Sequence, residues 1–390
     1  MSTGPDPVPL SAPELRGNEW RYVKECLDSG WVSSAGSFVD RFERDLAGRV
    51  GARHAVATVN GTAALHVALR AVGVRPDDEV LVADLTFIAP VNAIRYCGAH
   101  PVFMDADPAT WQMDLDKVRR FLEGECVMRE GACLNRRTGR PVRAVLPVHL
   151  LGLVGPIAEL AALARRHGLR LVEDASEALG VRYRGRHVGT FGDAGVFSFN
   201  GNKIVTTGGG GMLVTDDATT ARYARYLTTQ AKDDALEGIH HEVGYNYRLT
   251  NIQAALGVAQ LEQLDTFVAR KRAIAATYAD ELRVVADVTL MPALPAAEPT
   301  YWLYTILLGE ATTLAGRQAV VRALNDLGIG ARPLFHPIHD LPPYRDCQAF
   351  EIEHAVRLYE RGVCLPSSVG LSAEDQKRCV AAVKDVLGAR

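Results

Sequence analysis

The sequence predicts an α/β protein: a mainly parallel sheet of seven strands covered by helices on both faces, with a smaller C-terminal α+β domain. Three observations carry this. Between Ala55 and Thr215 short apolar runs alternate with amphipathic helical stretches, the pattern of parallel strands joined by helical crossovers. The runs Leu171–Glu173 and Gly195–Phe199 are short and apolar, as expected for central strands buried on both faces. Beyond Thr250 the rhythm changes to one long helix followed by isolated strands and helices. The implied division is a large domain over residues 1–249, including N-terminal helices, and a bridging helix with the small domain over 250–390.

Residues 16–50 read as two helices, with Trp20, Val23 and Leu27 on one face of the first and Val39, Phe42 and Leu46 on one face of the second. The linking GWVSSAGS reads equally as a plain connection or as a loop that folds over a ligand. Candidate strands follow at Ala55–Val59, Val80–Val82, Pro101–Asp105, Ala144–Val148, Leu169–Glu173, Gly195–Phe199 and Gly211–Thr215. Helices are expected at Thr62–Val72, Ala89–Cys97, Asp114–Glu123 and Pro156–His167, the last with proline in its first turn and Gly168 at its stop. Residues 124–143 are polar and turn-rich, which suggests a surface hairpin inserted between a helix and the next strand. A helix from Arg222 to Thr229 precedes a polar stretch without period, the signature of a functional loop. Thr250 with Gln253 forms a capping box for a long helix that keeps Ile252, Leu256, Leu264, Phe267, Ile274 and Tyr278 in helical register. Beyond it, Trp302–Leu308 and Ala331–Phe335 read as strands, and Arg317–Leu327, Ile352–Arg361 and Glu374–Leu387 as helices.

With 390 residues, 48% apolar and 23% charged, the chain has material for a large core. Its net charge of -3 argues against nucleic acid or an anionic membrane as the main partner. The N-terminal stretch lacks the basic flank and apolar run of a secretion signal, and no segment is apolar for long enough to span a bilayer, so a cytoplasmic location is expected. The seven cysteines are dispersed without a CxxC pair, so neither disulfides nor a metal site is expected. Cys126 and Cys133 alone would make half a zinc site.

The chemistry gathers at strand ends, where ligands of open α/β sheets bind. Asp174 follows one central strand, and Ser198 to Lys203, reading SFNGNK, follows another. A lysine there is partly desolvated, and burial favours the neutral, nucleophilic amine. Asn60-Gly61-Thr62-Ala63 joins a strand to a helix, so free amides and the Thr62 hydroxyl could bind a phosphate, although threonine is also an ordinary cap. Phe87 could cover an aromatic ring or simply fill core. Asp174 could pair with a protonated ring nitrogen or cap the next segment. Together these features suit a phosphorylated, nitrogen-containing aromatic ligand.

The segments EDASEALG, GTFGDAGVFSFNGNK and GYNYRL resemble the signatures of the pyridoxal-phosphate sugar aminotransferases called the DegT/StrS family. The resemblance runs from GNEWRYVKECLDSGWVSSAGSFVDRFE to ARPLFHPIH and LPSS, nearly the whole chain. Within the family, SFNGNKI and the hairpin insertion look most like the 4-aminotransferases of N-acetylbacillosamine and legionaminic acid pathways. The resemblance implies the type I fold of pyridoxal-phosphate enzymes and transfer of an amino group from glutamate to the 4-keto carbon of a nucleotide-linked 4-keto-6-deoxy, N-acetylated sugar. The alternatives are a ketosugar aminotransferase acting at C3 or on a GDP-sugar, a dehydratase of the same fold, and a regulatory protein that only binds the ligand. Retention of Lys203 speaks against the dehydratase, and the Asp174, Ser198 and Lys203 set against the regulator.

By the same resemblance, Lys203 would attach the cofactor and shuttle a proton, and Asp174 would keep the pyridine nitrogen protonated. Phe87 would stack on the ring. Thr62, the Gly61–Ala63 backbone and Ser198 would hold the phosphate, beside Asn200, while Asn246 would reach it from the partner subunit of a homodimer with shared active sites. Glu177 stands where many relatives carry glutamine, beside the phenolic oxygen; an ionised carboxylate cannot donate there, so it must be protonated, turned away or bridged by water. Trp31, Ser33, His149, Arg248, Arg332, Phe335 and His339 would line the sugar-nucleotide pocket. Arg332 suits a diphosphate. Arg248 reads as well as a loop-ordering ion pair, and His336 and His339 as surface or packing residues.

Overall fold

The computed structural model describes residues 6–234 and 236–388; the first five residues of the N-terminal stretch and Ala235 of the polar stretch lie outside the described residues. Helices α1 (Glu19–Ser29) and α2 (Ser37–Val50) precede strand β1 (His54–Thr58). Alternation then begins: α3 (Gly61–Ala71), β2 (Glu79–Ala83), α4 (Ala89–Tyr96), β3 (His100–Met104) and α5 (Leu115–Arg120), which widens into a π-turn at Phe121–Glu125. A hairpin of β4 (Cys126–Arg129) and β5 (Ala132–Asn135) leads to β6 (Val142–Leu146), α6 (Ile157–Arg166) and β7 (Arg170–Asp174). Short β8 (Arg182–Tyr183) and β9 (Arg186–His187) precede β10 (Ala194–Ser198), β11 (Gly211–Thr215) and α7 (Ala218–Thr228).

The main sheet has the order β1-β11-β10-β7-β6-β2-β3, parallel except at the two pairings made by β11. Its strands are apolar on both faces because helices cover both, α3, α4 and α7 on one side and α2 and α6 on the other. All seven expected strands form. An eighth joins them: β16 (Gln348–Phe350) pairs in parallel with β3. Three residues after a proline-rich turn carry no periodicity, so this strand could not be read from the sequence.

The hairpin at 124–143 is present and rooted from inside. Asn135, fully buried, donates to Glu79 Oε2 at 2.7 Å and to Gln348 Oε1 at 2.8 Å, tying the insertion to β2 and β16.

The expected long helix opens on the Thr250–Gln253 capping box but breaks at Gln263 into α8 (Asn251–Glu262) and α9 (Leu264–Leu282). A second sheet follows, β12 (Val288–Thr289), β14 (Tyr304–Leu308), β17 (Gly362–Leu365) and β15 (Arg332–Pro333), all antiparallel, while β13 (Ala297–Glu298) pairs with β8. It packs against α9, α10 (Leu314–Asp326) and α12 (Ala373–Gly388) around Tyr278, Ile306 and Leu324, and α11 (His354–Arg361) precedes β17. The strand expected at Ala331–Phe335 shrinks to two paired residues because Pro333 has no amide to donate. The expected division near residue 250 is crossed both ways: β16 joins the large sheet, and Val8 packs in the core around the second sheet.

One expected face is reversed. Trp20 and Leu27 of α1 are 80% and 58% exposed, whereas Tyr22 and Cys26 are buried. The helix packs on α8, where the Tyr22 hydroxyl donates to Glu262 Oε1 at 2.8 Å. The inward face combines apolar packing, with Tyr22 against Phe38 at a ring separation of 5.3 Å, and this hydrogen bond to a residue 240 positions away.

Candidate active site

The end of β7, the turn after β10 and the start of α3 converge on a cavity of about 290 Å³, closed on its far side by Trp302, Arg332 and Phe335 of the C-terminal segment. A larger open groove of about 560 Å³ lies between α2 and α7, but it shares no residue with this cavity and is lined by no lysine.

Asp174 ends β7 with its side chain buried in the cavity floor, where Oδ1 accepts the Ser176 amide at 3.0 Å. Its neighbour Glu173 points to the other face of the sheet, as strand alternation requires. There it accepts the Gly189 and Gly192 amides, each at 2.8 Å. Burial pushes the Asp174 carboxyl above its ordinary pKa, opposed by the Ser176 hydrogen bonds and by Lys203 and His149. No cation lies within ion-pair distance of this carboxylate among the described residues, and a protonated ring nitrogen would supply one.

The start of α3 forms an anion cradle. Asn60 caps the helix, its Oδ1 accepting the Ala63 amide at 2.8 Å, which leaves the Gly61 and Thr62 amides at the cavity wall. A Cβ on Gly61 would sit 2.9 Å from Ser198 Cβ and 3.3 Å from Ser176 Oγ, so only glycine lets the helix end approach these two hydroxyls. Ala63, expected among the phosphate donors, does not line the cavity, because its amide serves the cap.

Lys203 enters from the turn after β10. Its amine lies 3.5 Å from Glu177 Oε1 and 3.9 Å from the centre of the Trp302 ring. Glu177 is buried and faces the amine rather than turning away; Oε2 accepts the Leu151 amide at 2.7 Å. Burial raises its pKa against the pull of Lys203, the Leu151 amide and Arg332. Phe87, 55% exposed, forms the rim with Phe335 at a ring separation of 5.9 Å. Asn200 also lines the cavity, with Asn202. The Arg332 guanidinium lies 5.0 Å from the Phe335 ring centre, and its buried Nε has no hydrogen-bond partner among the described residues. An acid for a ring nitrogen, a cradle for a phosphate and a lysine between them fit pyridoxal phosphate.

Other expected residues lie outside the cavity. His149 is buried behind the floor, its Nε2 2.9 Å from Glu173 Oε2. Arg248 pairs with Glu43, which also takes Arg225 at 2.7 Å and the Ala57 amide at 2.7 Å, so the loop-ordering reading describes it. His339 Nδ1 lies 2.7 Å from Asp84 Oδ2 and its amide donates to Oδ1; that hydrogen bond raises its pKa, and the pair docks the 338–340 turn on the end of β2. Trp31 and Ser33 are exposed, their carbonyls engaged by Asn251 at 2.7 and 2.6 Å, and Asn246 is exposed on the loop before α8. None of these three lines this chain's own cavity. Sequence reasoning missed Ser176, Asn202 and Trp302. Ser176, two residues after Asp174 at a strand end, carried a local signal; Trp302, about a hundred residues from Lys203, carried none.

Residues 13–384 match the profile of the DegT/DnrJ/EryC1/StrS aminotransferase family. The chain is 41% identical over 381 residues to GDP-perosamine synthase of Caulobacter vibrioides, covering 97% of this chain and 98% of that protein. It is 40% identical over 368 residues to GDP-perosamine synthase of Escherichia coli O157:H7, covering 94% and 95%. Among solved structures, the aminotransferase TlmJ from Streptoalloteichus hindustanus superposes with a TM-score of 0.88 at 31% identity, covering 98% of this chain and 99% of that one. The chain belongs to the DegT/DnrJ/EryC1/StrS family, as a pyridoxal-phosphate-dependent sugar aminotransferase of fold type I.

Proposed function

We propose that this enzyme transfers an amino group from glutamate to the 4-keto carbon of a GDP-linked 4-keto-6-deoxy sugar, in a homodimer with shared active sites. The observation that carries the nucleotide is the 41% identity, over 97% of the chain, to a GDP-perosamine synthase. The expectation of a UDP-linked N-acetylated sugar of the bacillosamine or legionaminic acid type rested on SFNGNKI and the hairpin insertion; likeness along the whole chain outweighs those two segments.

When bound, pyridoxal phosphate supplies an electron sink for the carbon that gains or loses a proton. The residues do the rest. Asp174 holds the ring nitrogen in its protonated form, with its own desolvation relieved by that cation. The Gly61 and Thr62 amides, with the Thr62, Ser198 and Ser176 hydroxyls, orient the phosphate, and Phe87 covers one ring face. Lys203 holds the cofactor between turnovers and then, as a free amine, carries a proton to and from the reacting carbon. Glu177, 3.5 Å from that amine, is within reach to balance its charge as it changes. Arg332, with an unpartnered buried nitrogen, offers a charge-assisted contact to an anionic substrate group. Asn246 completes the phosphate site of the partner subunit.

Two measurements test this reading. Borohydride reduction followed by peptide mapping should find the cofactor on Lys203, and Lys203→Ala should abolish turnover; label on another lysine overturns the assignment. Specificity constants should then be compared, glutamate saturating, for a GDP-linked 4-keto-6-deoxy-hexose, UDP-linked 4-keto-6-deoxy-N-acetylglucosamine and the UDP analogue lacking the acetamido group. We expect the GDP substrate to lead by roughly tenfold or more, a difference of about 1.4 kcal/mol in transition-state binding. A lead for the acetamido sugar restores the UDP reading.

A further inference from the structure

We propose that Trp302 is a positioning residue for Lys203, and that Lys271 holds Trp302 in place from the small domain. The inference rests on reading Lys203 as the cofactor-bearing lysine. Trp302 is 1% exposed and lies two residues before β14, yet its indole reaches across to the turn after β10, where Nε1 donates to the Asn202 carbonyl at 2.7 Å. That carbonyl belongs to the peptide immediately before Lys203, and it accepts a second hydrogen bond, from Ser11 Oγ at 3.0 Å. The same indole turns its face to the Lys203 amine, 3.9 Å from the ring centre. One side chain therefore fixes the lysine at both ends: the backbone through a hydrogen bond and the amine through a cation–π contact.

Lys271 of α9 supports it from behind. Its amine, fully buried, donates to the Trp302 carbonyl at 2.7 Å and to the Ser367 carbonyl, and no carboxylate lies within ion-pair distance among the described residues. A buried ammonium with only carbonyl partners is costly, and burial pushes its pKa down to about 7. It bridges the two carbonyls where β14 and the 366–368 segment meet, which sets where Trp302 begins. Besides the ring, the charged groups around Lys203 are Glu177, Asp174 and Arg332, and none of them touches the indole nitrogen.

The test follows Lys203 as a free amine. The rate at which the cofactor-free full chain reloads with pyridoxal phosphate, read by absorbance at one pH, reports how well that amine is placed for attack. Trp302→Leu removes both the ring face and the hydrogen bond to the Asn202 carbonyl, so it should slow reloading about tenfold and lower kcat by about tenfold, with both KM values within twofold. Trp302→Phe keeps a ring but loses the Nε1 donor, and should recover roughly half of each loss on a logarithmic scale. Lys271→Met should slow reloading by a smaller factor. A Trp302→Leu enzyme with wild-type reloading and kcat overturns the proposal, as does a Trp302→Phe enzyme as slow as the leucine variant. Should leucine at 302 prevent folding, folded Lys271→Met decides: slowed reloading supports the proposal, and an unchanged rate overturns it. Borohydride mapping on the wild-type enzyme separately decides whether Lys203 is the cofactor lysine.

Discussion

At the scale of single residues, the site is built from groups whose burial makes them expensive alone. Asp174 and Glu177 are buried acids with raised pKa values; Glu177 has the Lys203 amine at 3.5 Å, whereas Asp174 has no ion-pair partner among the described residues. For Glu177 the linkage has a definite sign. Its folded pKa lies above the ordinary carboxylate value, so stability present below about pH 4.3 is lost as pH rises through the folded pKa. Glutamine keeps the acceptor for the Leu151 amide and has no charge to bury. Glu177→Gln should therefore raise the melting temperature of the cofactor-free protein at pH 8 by roughly 2 °C or more, with a gain that shrinks toward pH 4. A gain that is equal at both pH values would show that Glu177 is not ionised against its surroundings.

At the scale of elements, Glu43 of α2 links parts of the chain that are far apart in sequence. It accepts the Ala57 amide of β1, pairs with Arg225 of α7 and pairs with Arg248 just before α8. The Glu43 and Arg248 side chains are 8% and 10% exposed, so removing the carboxylate leaves a nearly buried guanidinium without its partner. Glu43→Gln should cost about 3 kcal/mol in urea unfolding, most of it recovered when Arg248→Met is added. A loss below about 1 kcal/mol would show that the pair behaves as a surface contact. The GYNYRL loop hangs from this hub, so the variant should also weaken whatever Asn246 contributes.

At the scale of the whole molecule, Asn246 is exposed and lies outside its own chain's cavity, with its backbone bridged to Thr229. On the proposed reading of a site shared across a homodimer, mixing inactive Lys203→Ala and inactive Asn246→Ala subunits should restore up to about half of wild-type activity per hybrid. One site of each hybrid then carries both defects and the other neither. Verified hybrids that stay inactive would put both residues to work within one chain.

Much of this protein is legible without coordinates. Short apolar runs bounded by turn residues and separated by amphipathic helices read as central strands, so seven strands and the helices between them could be read locally, and strand ends then pointed to Asp174, Ser198 and Lys203. The capping box at Thr250 was legible for the same reason: its hydrogen bonds close within four residues. What the tertiary structure alone decided depends on partners distant in sequence. The inward face of α1 follows from Phe38 and Glu262, the eighth strand from β3, and the roles of Arg248 and His339 from Glu43 and Asp84. Trp302 meets Lys203 only because the segment leading into β14 folds back against the turn after β10. A sequence records which groups a residue can bond, but the choice among them is made by which segments the folded core brings within 3 Å of it.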